Sequence, residues 1–97
     1  FGPLCPMLSF KTFDEVIERA NNHELGLASY ICTNSMEQAH KASEQIETGT
    51  VAVNTPLVAI AEAPFGGIKQ TGYGREGGSM AIKDYLNIKY THLGLSG

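Results

Sequence analysis

The sequence lacks the features of several large protein classes. It has no charged-then-apolar leader and no apolar run of about 18 residues, so it gives no support for secretion or for a membrane span. Its 7 Lys and Arg residues are scattered and are outnumbered by 10 Asp and Glu, which leaves a net charge of -3. Binding to a phosphate backbone needs clustered basic residues. We therefore expect neither a membrane nor a nucleic acid among the partners.

Cysteine is scarce as well. The 2 cysteines, Cys5 and Cys32, are too few and too far apart for a zinc site, and the 3 histidines show no ligand spacing relative to them. Both cysteines fall in apolar surroundings, where a free thiol behaves as a small hydrophobic side chain. We expect both thiols to be reduced and buried in strands, and we expect no bound metal.

Length and composition suggest part of a larger protein. A hydrophobic content of 42% with 18% charged residues is ordinary for a folded soluble chain. A chain of this size, however, buries only about 60 to 65 per cent of the surface that it exposes when unfolded. Because the sequence starts at Phe1, without an initiator Met or a capping turn, we interpret it as a fragment.

Four segments have the composition of strands. Residues 4–10 form a nearly continuous apolar run, typical of a strand buried on both faces of a parallel sheet, although Pro6 requires an edge position or a bulge. Residues 27–33 and 50–54 are short and mostly apolar. In residues 88–95, Ile88, Tyr90 and His92 alternate with Lys89, Thr91 and Leu93, which suits a strand with two different faces. The sequence thus predicts three strands within its first 54 residues and one at its end.

Capping residues predict the helices. Thr12 with Glu15, and Ser35 with Gln38, have the spacing of a capping box, so a helix should begin at each. The first helix should end at residues 21–22, and Gly49 is suited to the position just after the second. A third, short helix is predicted over residues 79–87. The expected inward faces are Phe13, Val16, Ile17 and Ala20 in the first helix and Met36, Ala39, Ser43 and Ile46 in the second.

This order of elements predicts an α/β fold. Strand, helix, strand, helix, strand with short connections is typical of an open, mostly parallel sheet with flanking helices. Ligands of such sheets lie beyond the carboxyl ends of the strands, which is where Asn54 falls. The segment after it, residues 55–77, shows no regular element, and a loop of more than about 15 residues in a compact domain is usually functional or disordered. Its apolar composition favours a functional loop.

The glycine-rich part of this loop is the most informative stretch. Residues 63–76 read A-P-F-G-G-I-K-Q-T-G-Y-G-R-E, with four glycines in a short span after Phe65. Residues 72–77 match G-x-G-x-x-G, but a dinucleotide fingerprint needs a strand before it and a βαβ unit after it. We therefore interpret these glycines as residues of a tight turn.

The same stretch resembles the P-F-G-G-x-K-x-S-G-x-G-R-E signature of the aldehyde dehydrogenase superfamily, with Thr71 where Ser is usual. Residues 1–3 are similar to the end of its E-x-F-G-P motif, and residues 49–54 to its G-x-V-x-V-N strand. Together with Y-L-x-I-K-Y at residues 85–90, the likeness runs in order along the whole chain. It is nearest to the succinate semialdehyde dehydrogenase branch, through N-T-x-L, E-G and Y-L-x-I-K-Y.

The resemblance implies a function for the parent protein and a position for this chain within it. Members of the family oxidise an aldehyde to a carboxylic acid with NAD or NADP, through a Cys thiohemiacetal and a water activated by Glu. Neither Cys5 nor Cys32 lies in a context like the family's nucleophile motif. The resemblance therefore implies that this chain is the C-terminal part of the catalytic domain, and that the remainder of the same polypeptide carries the catalytic groups. By itself the chain should be inactive.

Four residues are assigned to the site by the resemblance. Phe1 corresponds to the Phe that lies against the nicotinamide end of the cofactor, and Phe65 to the aromatic that lines the aldehyde tunnel. Val58 and Ala59 fall in the substrate loop, where the succinate semialdehyde branch tends to carry a Ser. An apolar loop there leaves a less polar aldehyde open as substrate. It is also open that Phe65 simply fills the core.

The resemblance divides the chain into residues 1–87 of the catalytic domain and residues 88–97, an oligomerisation strand and tail. The expected partners are a small aldehyde and further copies of the chain, in a dimer or tetramer formed through residues 88–95. The expected compartment is the cytoplasm, or the mitochondrion in a eukaryote. The competing hypothesis is a free-standing α/β module that binds a ligand or a partner without catalysis.

Overall fold

The first helix begins as predicted. The computed structural model describes residues 2–96, and in it α1 spans Phe13–Asn21. The Thr12 hydroxyl accepts the backbone N–H of Glu15 at 3.2 Å, while the Glu15 carboxylate accepts the N–H of Lys11 at 2.9 Å. The predicted cap is confirmed, except that Glu15 binds one residue earlier than the Thr12 N–H of a standard capping box.

The second helix, α2, spans Met36–Gln45 and is capped by Ser35, whose hydroxyl accepts the N–H of Gln38 at 3.3 Å. Its buried residues are Ala39 and Ala42. The predicted inward face is therefore partly wrong, because Met36 is 84% exposed. Ser43 and, in α1, Ala20 are exposed too, whereas Ile17 is buried as predicted. The buried positions of α2 are thus occupied by small side chains.

A parallel strand pair lies at the centre of the fold. Strand β2 (Ala28–Ile31) pairs in parallel with β3 (Thr50–Val53), in the register Ala28 to Thr50. The helix α2 connects the two strands, which confirms the predicted βαβ unit. At the carboxyl end Asn54 extends the pairing with its side chain: the amide oxygen accepts the Thr33 N–H at 3.0 Å and the amide nitrogen donates to the Thr33 carbonyl at 2.8 Å.

A second, shorter pair was not predicted. Strand β1 (Leu25–Gly26) pairs antiparallel with β4 (Ile68–Lys69). Strand β4 lies inside residues 55–77, for which the sequence predicts no regular element. Two residues with no alternating pattern leave no periodic signal. This pair connects the glycine-rich loop to the chain just before β2.

Two predicted strands have no ladder partner among residues 2–96. Residues 4–10 form no strand, and Leu4, Met7 and Leu8 are exposed. Between β4 and residue 96 there is likewise no strand. A 3₁₀ helix at Ala81–Tyr85 replaces the predicted helix 79–87, and residues 86–96 lack regular structure. A strand needs a neighbour to accept and donate its backbone hydrogen bonds, so the prediction for residues 4–10 is wrong for this chain by itself.

The core is small for a chain of this length. Its buried apolar residues within the described range are Ile17, Ala39, Ala42 and Ala52. The radius of gyration is 19.2 Å, whereas a compact domain of about 100 residues has a value of about 13 Å. Large exposed apolar surfaces mark contacts with other protein segments. The elongated shape therefore agrees with a chain whose apolar side chains are covered by something else.

Candidate functional site: the glycine-rich loop and the concavity beside Phe65

The loop closes on itself next to Phe65. The Phe65 N–H donates to the Glu76 carbonyl at 2.6 Å, and the Glu76 N–H donates to the Phe65 carbonyl at 2.7 Å. Outside this pair, the Gly78 N–H donates to the Ala61 carbonyl at 2.8 Å. The backbone at Phe65 is thus held by two reciprocal hydrogen bonds, while its side chain is only half-buried.

Glycine is required where the loop meets the start of β3. A Cβ atom added to Gly49 would lie 2.0 Å from the carbonyl oxygen of Gly66 and 2.8 Å from the Cα of Gly67. Real Cβ atoms never approach backbone so closely, so Gly49 permits this contact. The helix before it ends at Gln45 with Ile46 as its cap. The prediction that Gly49 follows the helix directly is therefore wrong, and its role is to seat the loop.

Arg75 joins the two sides of the loop. Its Nη1 donates to the carbonyls of Gly67 and Gly74, both at 2.8 Å. Its backbone N–H donates to the Asp84 carboxylate at 3.2 Å, which attaches the 3₁₀ helix to the loop. Neither residue is assigned to the site from the sequence alone. Asp84 lies nine positions after Arg75 in no recognisable pattern, so only the fold could reveal the pairing.

Lys69 anchors the loop to the end of α1 and to the segment that follows α2. Its Nζ lies 2.6 Å from the Glu47 carboxylate and donates at 2.9 Å to the carbonyl of Asn21, at the end of α1. Cations near a helix C-terminus interact favourably with the unpaired carbonyls there. Lys69 also adopts a positive φ of 57°. Its side-chain contacts hold this uncommon backbone conformation in place.

The glycines of the G-x-G-x-x-G match form turns. Gly72, Gly74 and Gly77 have φ values of 123°, 89° and 71°. The five-residue 3₁₀ helix follows them, where a dinucleotide fingerprint would have an α-helix. This geometry agrees with the interpretation as a tight turn.

A concavity of about 280 Å³ opens beside the loop. It is lined by Phe65, Arg75, Asp84 and Tyr85 among others. Val58 and Ala59 are not among its lining residues, so the structure of this chain does not bring them together with Phe65. Phe1, the predicted cofactor residue, lies outside the described residues.

A larger crevice of about 570 Å³ lies between α1, β2 and α2. Cys32 is one of its lining residues. Both Cys32 and Cys5 are free and exposed, so the prediction that they are buried is wrong. The reason is the same as for residues 4–10: no described segment covers these positions.

Charge in the described structure is mostly at the surface. On α2 the Lys41 ammonium hydrogen-bonds to Glu37, which lowers the pKa of the Glu37 carboxyl and raises the pKa of Lys41. No group of three or more His, Cys, Asp or Glu residues within residues 2–96 could hold a metal ion. In the same range, every helix is too short or too polar to cross a membrane.

Comparison with known proteins gives a consistent result. The model of the aldehyde dehydrogenase family matches residues 1–91. The 3-sulfolactaldehyde dehydrogenase of Pseudomonas putida is 51% identical over 94 residues, which cover 97% of this chain and 19% of that protein. The NADP(+) succinate-semialdehyde dehydrogenase of Escherichia coli K12 is 45% identical over 95 residues, covering 98% and 20%.

Solved structures agree. The succinate-semialdehyde dehydrogenase from Burkholderia pseudomallei superimposes with a TM-score of 0.87 at 42% identity, covering 93% of this chain and 19% of that one. The NAD+ complex of an aldehyde dehydrogenase from Bacillus cereus gives 0.87 at 44% identity, covering 92% and 18%. The chain thus spans about a fifth of the length of the relatives that it matches. It belongs to the aldehyde dehydrogenase family.

Proposed function

We propose that this chain is the C-terminal part of the catalytic domain of an NAD(P)-dependent aldehyde dehydrogenase, and that it supplies one wall of the aldehyde pocket. The observation that carries the proposal is the fixed backbone of Phe65 beside a half-open concavity. A wall residue needs a defined position and an accessible face. Phe65 has both, through its two hydrogen bonds to Glu76 and its half-buried ring.

In this proposal the rest of the polypeptide supplies the nucleophilic Cys, the activating Glu and most of the cofactor site. Bound NAD or NADP would supply the hydride acceptor for the oxidation of the thiohemiacetal. Phe1, the one residue that we predict to contact the cofactor, lies outside the described range. The described residues therefore have no proposed contact with the cofactor. They shape the pocket and exclude water around the aldehyde.

The exposed apolar surface supports a part of a larger enzyme over a free-standing module. A separate module would leave Leu4, Met7, Leu8 and much of the tail in water, at a cost of about 1.5 to 3 kcal/mol for each large side chain that stays exposed. The radius of gyration points the same way. As substrate we propose a small aldehyde, with Val58 and Ala59 as apolar wall residues.

The pocket proposal predicts the effect of Phe65→Ala in the full-length enzyme. Truncating an aromatic wall widens the pocket but leaves the nucleotide site intact. The ratio of kcat/KM for a bulky and a short aldehyde should change about tenfold, while the KM for the cofactor stays within about twofold. Steady-state kinetics measure both quantities. An equal decrease in kcat/KM for all aldehydes, or a change confined to the KM for the cofactor, would mean that Phe65 fills the core and does not line the pocket.

We also propose that residues 88–95 pair with another subunit in a dimer or tetramer. The segment is exposed and has no partner strand among the described residues. The Tyr90 hydroxyl lies 3.0 Å from Nδ1 of His92, two positions on, which suits side chains on one face of an extended segment. An unpaired extended segment is a template for pairing with another sheet edge.

Removing the tail should therefore reduce the assembly. A full-length variant that ends at Asn87, or one with Thr91→Pro, which removes a ladder donor, should have about half the mass of the wild type or less, as expected for loss of a symmetric interface. Light scattering at micromolar concentration gives the mass. Lys83→Met, an exposed change before the tail, is the matched control. Identical masses for all four proteins would mean that the strand pairs within its own subunit.

A further inference from the structure

The Arg75 side chain lies directly against the backbone that follows Phe65. A Cβ atom added to Gly66 would lie 2.6 Å from Cδ of Arg75 and 3.2 Å from its Nη1. The same Nη1 donates to the carbonyls of Gly67 and Gly74 at 2.8 Å. One guanidinium nitrogen thus joins the segment after Phe65 to the segment before Glu76.

The contact between Phe65 and Glu76 has no neighbouring ladder pair to stabilise it. The two residues form a single isolated bridge. A lone bridge in a half-exposed loop is easily opened by water. Hydrogen bonds from a charged donor are stronger than neutral ones, and the planar guanidinium holds its donors in fixed directions. Asp84 fixes the other end of Arg75 by accepting its backbone N–H at 3.2 Å.

We infer that Arg75 is a positioning residue for the aldehyde pocket, which sets aldehyde selectivity by holding the Phe65 backbone in place. This inference rests on the proposed function of Phe65 as a pocket wall. In it, Arg75 acts through its two carbonyl contacts and not through its charge on the substrate. A lysine keeps the charge and one donor nitrogen, but its chain is one bond shorter and its amine lacks the planar geometry that aims Nη1 at both carbonyls, so it should replace arginine only in part.

The test measures selectivity with two uncharged aldehydes, one short and one bulky, in the full-length enzyme. Uncharged substrates remove any direct attraction between Arg75 and a carboxylate. We expect Arg75→Met to change the kcat/KM ratio about fivefold or more, in the same direction as Phe65→Ala, and Arg75→Lys to give an intermediate change. Arg19→Met, at the other arginine of the chain, should stay within about twofold, because Arg19 contacts Glu15 and the Ser9 carbonyl.

A double-mutant cycle separates positioning from general damage. If Arg75 acts through Phe65, the variant with both Phe65→Ala and Arg75→Met should have the selectivity ratio of Phe65→Ala alone. Multiplicative effects of the two changes would overturn the inference, as would an Arg75→Met enzyme with wild-type selectivity. Should Arg75→Met fail to fold, Arg75→Lys alone and combined with Phe65→Ala decides by the same criteria.

The outcomes also distinguish the inference from the proposed function. If Phe65→Ala changes selectivity and the Arg75 variants do not, the pocket wall stands and the positioning role is wrong. If Phe65→Ala leaves selectivity unchanged, the pocket role of Phe65 is wrong and the inference about Arg75 fails with it. Wild-type selectivity in Arg75→Lys would overturn the part of the inference that assigns these contacts to a guanidinium, because an ammonium group would then be sufficient.

Discussion

Gly49→Ala will lower the free energy of unfolding of the full-length enzyme by about 3 kcal/mol or more, at the upper end of the range for overpacked sites. The new methyl group would lie 2.0 Å from the Gly66 oxygen, and the nearest atoms all belong to backbone. No side chain can rotate away. The Gly49 N–H also donates to the Gly26 carbonyl at 3.0 Å, so a shift of this residue disturbs β1 as well.

Urea unfolding followed by circular dichroism measures this effect. Gly2→Ala is the matched control, because a Cβ at Gly2 meets nothing within 4 Å and the residue lies outside the proposed subunit contact. We expect the control to unfold at the wild-type midpoint. A Gly49→Ala enzyme as stable as the control would show that the loop does not lie in close contact with the residue before β3. The contact that we describe between Gly49 and the Gly66 backbone would then be incorrect.

The 97-residue chain by itself will oxidise no aldehyde, whereas the full-length enzyme will. The concavity beside Phe65 has no cysteine among its lining residues. Cys5 and Cys32 are exposed, and neither lies in a context like the family's nucleophile motif. The remaining groups required by the chemistry lie, in our proposal, in the rest of the polypeptide.

An assay of the isolated chain with several aldehydes and either NAD or NADP checks this expectation. The full-length enzyme under the same conditions is the positive control. Formation of reduced cofactor by the isolated chain, abolished by Cys5→Ala or Cys32→Ala, would contradict it.

What could be predicted from sequence was mostly local. The hydroxyls of Thr12 and Ser35 cap their helices because each partner N–H lies three residues away. The strands at residues 28–31 and 50–53 follow from short apolar runs, and their parallel pairing follows from the helix between them. These features depend on neighbours in the chain, so the chain alone specifies them.

What could not be predicted depends on distant or absent partners. Residues 4–10 have the composition of a buried strand, yet nothing in the described structure covers them. The contacts of Arg75 with Gly67 and of Gly49 with Gly66 lie in irregular backbone, where no period exists to reveal them. The motif predicts a functional loop, but only the fold shows how its backbone is held.

The most direct test of the central claim is steady-state aldehyde oxidation by the full-length protein. Short aliphatic, bulky and acid-bearing aldehydes are each supplied with NAD and, separately, with NADP, and reduced nicotinamide is followed by its absorbance. The account predicts reduced cofactor and carboxylic acid in equal amounts, with an order of aldehydes that Phe65→Ala rearranges. A folded full-length protein that forms no reduced cofactor with any aldehyde would contradict it.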